Sequence, residues 1–175
     1  YKEILKDYNT GDYKLKRDII QEKIENIIVE NNCNGIILSS VRSGKTKMIL
    51  ESIRKHSQGK DITIFLAYPT IDIKDSWENE MKRLNYYPKI IYSTFISLEK
   101  NIINGLDYYC FDEAHSIPPD NILPIVSKIV KNNDKVILAS GTYSEDTLLN
   151  LKFSTGLQQI VDYSTDNAIN DGIVN

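Results

Sequence analysis

Short runs of consecutive apolar, often β-branched residues alternate along this chain with longer stretches in which apolar positions recur every three or four residues. The first kind reads as strands buried on both faces: "GIILS" (35–39), "ITIFLAY" (62–68), "KIIYS" (89–93), "DYYCFDE" (107–113), "KVILAS" (135–140) and "QQIVDY" (158–163). The second kind reads as helices. Residues 18–31 carry Ile20, Ile24, Ile27 and Ile28 at helical spacing, and residues 72–84 set Ile73, Trp77, Met81 and Leu84 on one stripe. In 120–131, Asp120 or Asn121 can cap a helix whose apolar face is Leu123, Val126 and Val130. Pro124 is tolerated there because the first turn has no intrahelical N–H bond to lose. Such alternation predicts an α/β domain with a mostly parallel central sheet flanked by helices on both faces.

The 175 residues suit one domain with a sizeable core, and no internal repeat interrupts them. The polar tail "STDNAINDGIVN" carries no stop signal and reads as the start of a connection, so the domain is expected over 1–163 and the connection over 164–175. A start at Tyr1 rather than Met is what a piece trimmed from a longer chain would have.

Composition narrows the setting. Hydrophobic residues make up 41% and charged residues 26%, an ordinary globular balance. No apolar run approaches the ~20 residues that cross a bilayer, and no signal-peptide pattern occurs, so no membrane partner is expected. Cys33 and Cys110 fit no metal-ligand spacing and sit near apolar runs. They read as reduced core thiols and point to an intracellular, cytoplasmic protein. The net charge of −3 and pI of about 5.4 argue against tight nucleic-acid binding by charge alone, while leaving room for a local contact strip. Abundant Ile and Asn suggest an AT-rich genome such as a virus carries.

The chemistry begins at "SSVRSGKTKMIL" (39–50), which follows an apolar strand and opens a helix. In the pattern G-x-x-x-x-G-K-[ST], Ser39 takes the first glycine's place while Gly44, Lys45 and Thr46 match the end. Backbone N–H groups of Ser40, Val41, Arg42, Ser43 and Gly44 would surround phosphate anions at the helix N-terminus. Lys45 would neutralise β- and γ-phosphate charge, and the Thr46 hydroxyl would ligate Mg²⁺. Gly44, where backbone must approach phosphate, is kept. Arg42 lies at the crown of the loop, where its side chain can point outward, so the site is expected to work.

Roughly sixty residues later "YYCFDEAH" (108–115) ends an apolar strand in Asp112-Glu113, at the sheet edge where α/β folds bind ligands. Asp112 can hold Mg²⁺ through its water shell, and Glu113 can orient and deprotonate an attacking water.

At this point the chain resembles the first RecA-like domain of superfamily-two DEAD/DEAH-box helicases and translocases. "DEAH" (112–115) stands as that family's motif II, and "SVRSGKT" (40–46) resembles motif I in an arginine form familiar among phage-type members. "AYPTIDIKDSWENEMKRL" (67–84) resembles motif Ia with its following helix, "IYSTFISL" (91–98) motif Ib, and "ASGTYS" (139–144) motif III, with S-G-T for the commoner S-A-T. The five motifs occur in order across roughly residues 15–175. The resemblance implies a P-loop NTPase domain using ATP and Mg²⁺, with DNA or RNA as partner, DNA slightly favoured. It also implies a second RecA-like domain of the same polypeptide that completes the site.

By the same resemblance, His115, Ser140 and Thr142 would couple the γ-phosphate state to neighbouring elements, and Pro69, Thr70 and Thr94 would meet phosphodiester oxygens. The hydroxyls and N–H groups there serve helix capping equally well. "YKLKRDIIQ" (13–21) resembles the adenine-recognition segment, with Gln21 offering a donor and an acceptor, although Leu15 and Gln21 stand further apart than in the family. Trp77 shares its stripe with Ile73, Met81 and Leu84, so core packing is expected over base stacking. The expected function is the ATP-binding motor domain of a nucleic-acid-stimulated helicase, nearly inactive in isolation. Two rivals stand beside it: a viral DNA-packaging ATPase, and a nucleotide-binding scaffold that has lost hydrolysis.

Overall fold

The computed structural model describes residues 2–40, 43–164 and 167. Val41 and Arg42 of the expected phosphate loop, and the connection expected over 164–175 apart from Ser164 and Asn167, lie outside the described residues.

Six strands form one sheet: β1 (Gly35–Ser39), β2 (Thr63–Tyr68), β3 (Lys89–Thr94), β4 (Tyr108–Asp112), β5 (Val136–Ser140) and β6 (Gln159–Tyr163). Each lies within one residue of its predicted bounds. Their order is β3-β2-β4-β5-β1-β6, and every neighbouring pair is parallel, so the sheet is wholly rather than mostly parallel.

The helices are α1 (Lys2–Glu30), α2 (Lys45–His56), α3 (Asp72–Leu84), a single turn α4 (Leu98–Asn101), α5 (Leu123–Asn132) and α6 (Glu145–Thr155). From β1 the chain steps through β2 to β3 in one direction across the sheet. From β3 through β4 and β5 to β6 it steps back. Right-handed crossovers then send α2 and α3 to one face, α5 and α6 to the other. The buried side chains follow that division. Ile24 and Ile28 of α1, Met48, Ile49 and Ile53 of α2, and Trp77 and Met81 of α3 pack on Ile37, Ile64 and Leu66. Val126 and Ile129 of α5 and Leu151 of α6 pack with Phe95 on Phe65, Phe111 and Leu138.

The helices depart from expectation more than the strands do. α1 begins at Lys2, well before 18, in a segment too polar to announce a helix by apolar spacing. α5 is not capped by Asp120 or Asn121: its N-cap position is Ile122, no side chain caps it, and Pro124 sits in its first turn. α6 was not expected at all. Cys33 and Cys110 are both free and buried. Among the described residues no helix is long and apolar enough to cross a membrane.

Candidate nucleotide site

The loop after β1 is folded by its own serines. Ser40 N–H donates to the Tyr163 carbonyl at 2.9 Å, tying the loop to the end of β6. Ser43 turns back on it, its N–H and Oγ both donating to the Ser40 carbonyl at 3.0 and 2.6 Å, and its Oγ lies 2.5 Å from Ser39 Oγ. Gly44 then takes a left-handed conformation, φ 86° and ψ 38°. The backbone there favours glycine, and a β-carbon would stand 2.4 Å from Gln21 Nε2, so the Gln21 amide would have to give way. α2 starts at Lys45 with no side-chain cap and no acidic residue in its first turn. Its leading N–H groups and positive dipole end are thus left for an anion.

Facing this loop is the end of β4. Asp112 is 3% exposed. The strand stops there because Glu113 adopts a left-handed conformation, φ 53° and ψ 46°, before the single 3-10 turn Ala114–Ser116. Lys45 Nζ lies 2.8 Å from Asp112 Oδ1 and 2.8 Å from Glu113 Oε1. Asp112 Oδ1 also accepts the Glu113 N–H at 2.9 Å, and Oδ2 accepts the indole N–H of Trp77 at 2.8 Å. Burial of Lys45 alone would pull its pKa down. The adjacent carboxylates, Asp112 before Glu113, outweigh burial and hold it above the ordinary lysine value.

His115 Nδ1 is 2.5 Å from Ser140 Oγ at the end of β5 and 3.5 Å from Glu113 Oε2. Ser140 Oγ has one hydrogen, which it gives to the Thr142 carbonyl at 2.7 Å, and it accepts the Thr142 N–H at 3.2 Å. It must therefore accept from His115, which fixes the hydrogen on Nδ1. Thr142 enters this chain through its backbone rather than its hydroxyl.

Gln21, on α1, is 3% exposed and has both ends of its amide occupied. Nε2 donates to the Ser43 carbonyl at 2.7 Å, and Oε1 accepts from Lys47 Nζ at 2.8 Å. A cavity of about 360 Å³ opens beside it, between Gly44 and Lys47 on one side and Glu80, Arg83 and Leu84 of α3 on the other. Pro69 and Thr70 follow β2, and Thr94 ends β3, at the same carboxyl edge, beyond Asp112. Tyr68 and Thr94 are paired in register, the Phe95 N–H donates to the Tyr68 carbonyl at 2.8 Å, and Thr94 Oγ1 accepts the Ser97 N–H at 3.3 Å.

The structure thus brings Ser40, Ser43, Gly44, Lys45, Thr46, Asp112, Glu113, His115 and Ser140 to one rim, with Gln21 behind the loop. Pro69, Thr70 and Thr94 form a separate group further along. Two participants escape sequence reasoning: Lys47, which fastens Gln21, and Trp77, whose apolar stripe conceals its bond to Asp112. A bond between residues 35 apart has no local sequence signal.

The donor set suits Mg²⁺ with a nucleotide. Among the described residues no group of three or more His, Cys, Asp or Glu side chains forms a metal cage. Mg²⁺ in such sites takes one or two protein oxygens and fills its remaining positions with phosphate and water. Thr46 would supply one such oxygen, and Asp112 a second partner reached through the ion's water. Ser40 Oγ is buried without a hydrogen-bond partner among the described residues, a polar atom left inside the loop.

No family model and no curated protein matches the chain. Solved structures do match it. The UvsW helicase from bacteriophage T4 superposes with a TM-score of 0.63 at 12% identity, over 79% of this chain and 57% of that one. The Hef helicase domain of Pyrococcus furiosus gives 0.64 at 14% identity, over 90% and 40%. The Type ISP restriction-modification enzyme LlaGI, solved as a nuclease-deletion mutant with a DNA substrate mimic, gives 0.58 at 15%, over 88% and 20%. The chain spans little more than half the length of the first and less of the others. The first two of these neighbours are a helicase and a helicase domain by name. At such identities the likeness is one of fold: the chain has the RecA-like α/β fold those domains share.

Proposed function

We propose that this chain is the N-terminal ATP-binding motor domain, residues 1–163, of an ATP-dependent nucleic-acid helicase or translocase. Residues 164–175 would begin the connection to a second RecA-like domain. The observation that carries the reading is the meeting of Lys45 with Asp112 and Glu113 at the carboxyl edge of the sheet, within 2.8 Å. A cation in a glycine-turned loop and two carboxylates at a strand end are the protein's parts of a phosphoryl-transfer site.

In this reading the Gly44 N–H and the leading N–H groups of α2, with those expected of Val41 and Arg42, wrap the phosphates. The Ser40 and Ser43 N–H groups, expected to do the same, are instead spent on the Tyr163 and Ser40 carbonyls that shape the loop. Lys45 leaves the two carboxylates for the β- and γ-phosphates. Thr46, and Asp112 through water, would hold Mg²⁺, which would supply neutralisation of phosphate charge. Glu113, released from Lys45, accepts the proton of the attacking water. His115 lies between Glu113 and Ser140, so a change at Glu113 alters the chain running through Ser140 to Thr142. Pro69, Thr70 and Thr94 offer the nucleic-acid contacts, and the 360 Å³ cavity beside Gln21 has room for the base. DNA is favoured over RNA, in keeping with the DNA mimic bound by LlaGI.

Calorimetric titration of Mg·ATP into the chain tests this. Binding is expected, with loss in Lys45→Ala and hardly measurable turnover. Joined to its second domain, the protein should hydrolyse ATP faster by about 10³–10⁵, the worth of a phosphate-facing arginine supplied across an interface. Nucleic acid should stimulate it further, and Glu113→Gln should bind ATP without turnover. Absence of Mg·ATP binding, or brisk turnover by the isolated chain, contradicts the proposal.

A further inference from the structure

The two oxygens of Asp112 are committed to different parts of the fold. Oδ1 faces the phosphate loop and receives the Lys45 ammonium and the Glu113 N–H at 2.8 and 2.9 Å. Oδ2 faces the interior and receives the Trp77 N–H at 2.8 Å. Trp77 is fully buried in the middle of α3, in the apolar cluster that also holds Met48, Ile64 and Leu66. Its ring is fixed by packing, so the direction of its N–H is fixed too.

A carboxylate has a broad, nearly two-fold preference about its last bond. Without the indole N–H, Asp112 would have an oxygen with no donor in the interior, and the carboxylate plane would be freer to rotate away from the angle at which one oxygen faces the loop. Packing alone asks only for a large aromatic at 77. What an indole adds is a single donor aimed at Oδ2.

We propose that Trp77 is a positioning residue for Asp112: its N–H holds Oδ2 inward so that Oδ1 alone is presented to the metal–nucleotide in the phosphate loop. The inference rests on the nucleotide site proposed above. It gives α3 a second role, since the helix that closes one face of the core also sets the orientation of a carboxylate at the rim. Groups that orient a metal's protein partner are worth about 10–100-fold in metal affinity. The effect expected here is near the lower figure, because Asp112 would meet Mg²⁺ through water.

The test is the Mg²⁺ dependence of binding of a fluorescent ADP bearing a methylanthraniloyl group. Two replacements of Trp77 remove the donor: Trp77→Phe, and incorporation of 3-benzothienylalanine, which keeps the bicyclic shape and lacks the N–H. Both are expected to raise the Mg²⁺ midpoint about tenfold while leaving binding of the same nucleotide in EDTA unchanged. Trp77 is the one tryptophan among the 175 residues. Its emission in the unaltered chain should therefore shift when MgCl₂ is added to the ADP-saturated protein, because the charge at its acceptor changes. An unchanged midpoint in the benzothienyl protein overturns the inference and leaves the nucleotide site standing, whatever Trp77→Phe does through lost volume. Nucleotide binding by the unaltered chain that ignores Mg²⁺ overturns the proposed site and this inference with it.

Discussion

Lys45 and Asp112 meet with 2.8 Å between Nζ and Oδ1, their side chains 10% and 5% exposed. Removing two such charges from water is costly, and each is tolerated because the other is there. Lys45→Met leaves the Asp112 carboxylate buried with only the Trp77 and Glu113 N–H groups. Breaking a buried pair on one side costs about 3 kcal/mol at the low end of such cases. Urea unfolding at pH 7 should register a loss of that order, together with abolished nucleotide binding. A change within about 0.5 kcal/mol would mean the pair is solvated and contributes as surface bridges do.

Gly44 and Gln21 make a second constraint on the loop. Gly44→Ala places a β-carbon 2.4 Å from Gln21 Nε2 at φ 86°. The left-handed backbone alone costs an alanine about 1–2 kcal/mol, and the contact adds to it. In a double-mutant cycle with Gln21→Ala, the contact part should be recovered and the backbone part should remain. Simple additivity of the two substitutions would show that Gln21 does not press on the loop.

The strands were legible because burial on both faces of a parallel sheet forces consecutive apolar residues, and chains such as "KVILAS" leave no other reading. The phosphate loop and Asp112-Glu113 were legible as spelling. α6 was not. Its Leu148, Leu149, Leu151 and Phe153 point around the helix rather than along one stripe, with Leu149 and Phe153 62% and 92% exposed. Its local signals lie at its ends: Ser144, whose Oγ accepts the Thr147 N–H at 3.1 Å, Glu145 and Asp146 in the first turn, and the left-handed Gly156 at the close. Gln21 and Trp77 were read in part: one as an open amide, the other as core. Both make bonds set by tertiary packing, which spacing along the chain does not encode.

Glu113 has a left-handed backbone that glycine adopts without penalty. Glu113→Ala and Glu113→Gly lose the same carboxylate and the same bond to Lys45, so they differ only in backbone. Thermal unfolding should find the glycine variant more stable by about 1 kcal/mol, and neither should turn over ATP in the complete protein. Equal stabilities would mean the backbone relaxes once the side chain is removed, so that the carboxylate itself holds the strain.

The alkaline limb of stability should be set first by the thiols. Burial pushes Cys33 from its ordinary 9.0 up to about 12. Burial, with the Asp112 charge behind it, pushes Cys110 well above the same value. Below pH 9 both are protonated in the folded and the unfolded chain, and their contribution is fully present. Above pH 9 the unfolded chain releases protons that the folded chain retains, so stability falls as pH rises. The slope is on the order of 1 kcal/mol per pH unit for each thiol. Tyr92 and Tyr108, which burial raises from 10.0 to about 12, and Tyr68, Tyr86 and Tyr143, which burial also raises, begin to join as pH nears 10 and dominate above it. Lys45, whose pKa is raised above 10.5, joins higher still. Urea midpoints at pH 8, 9 and 10 should therefore decline between 9 and 10, and Cys33→Ala with Cys110→Ala should lessen that decline while leaving the fall above pH 10. A decline between pH 9 and 10 that both substitutions leave undiminished would assign the alkaline loss to other groups and overturn the thiol account.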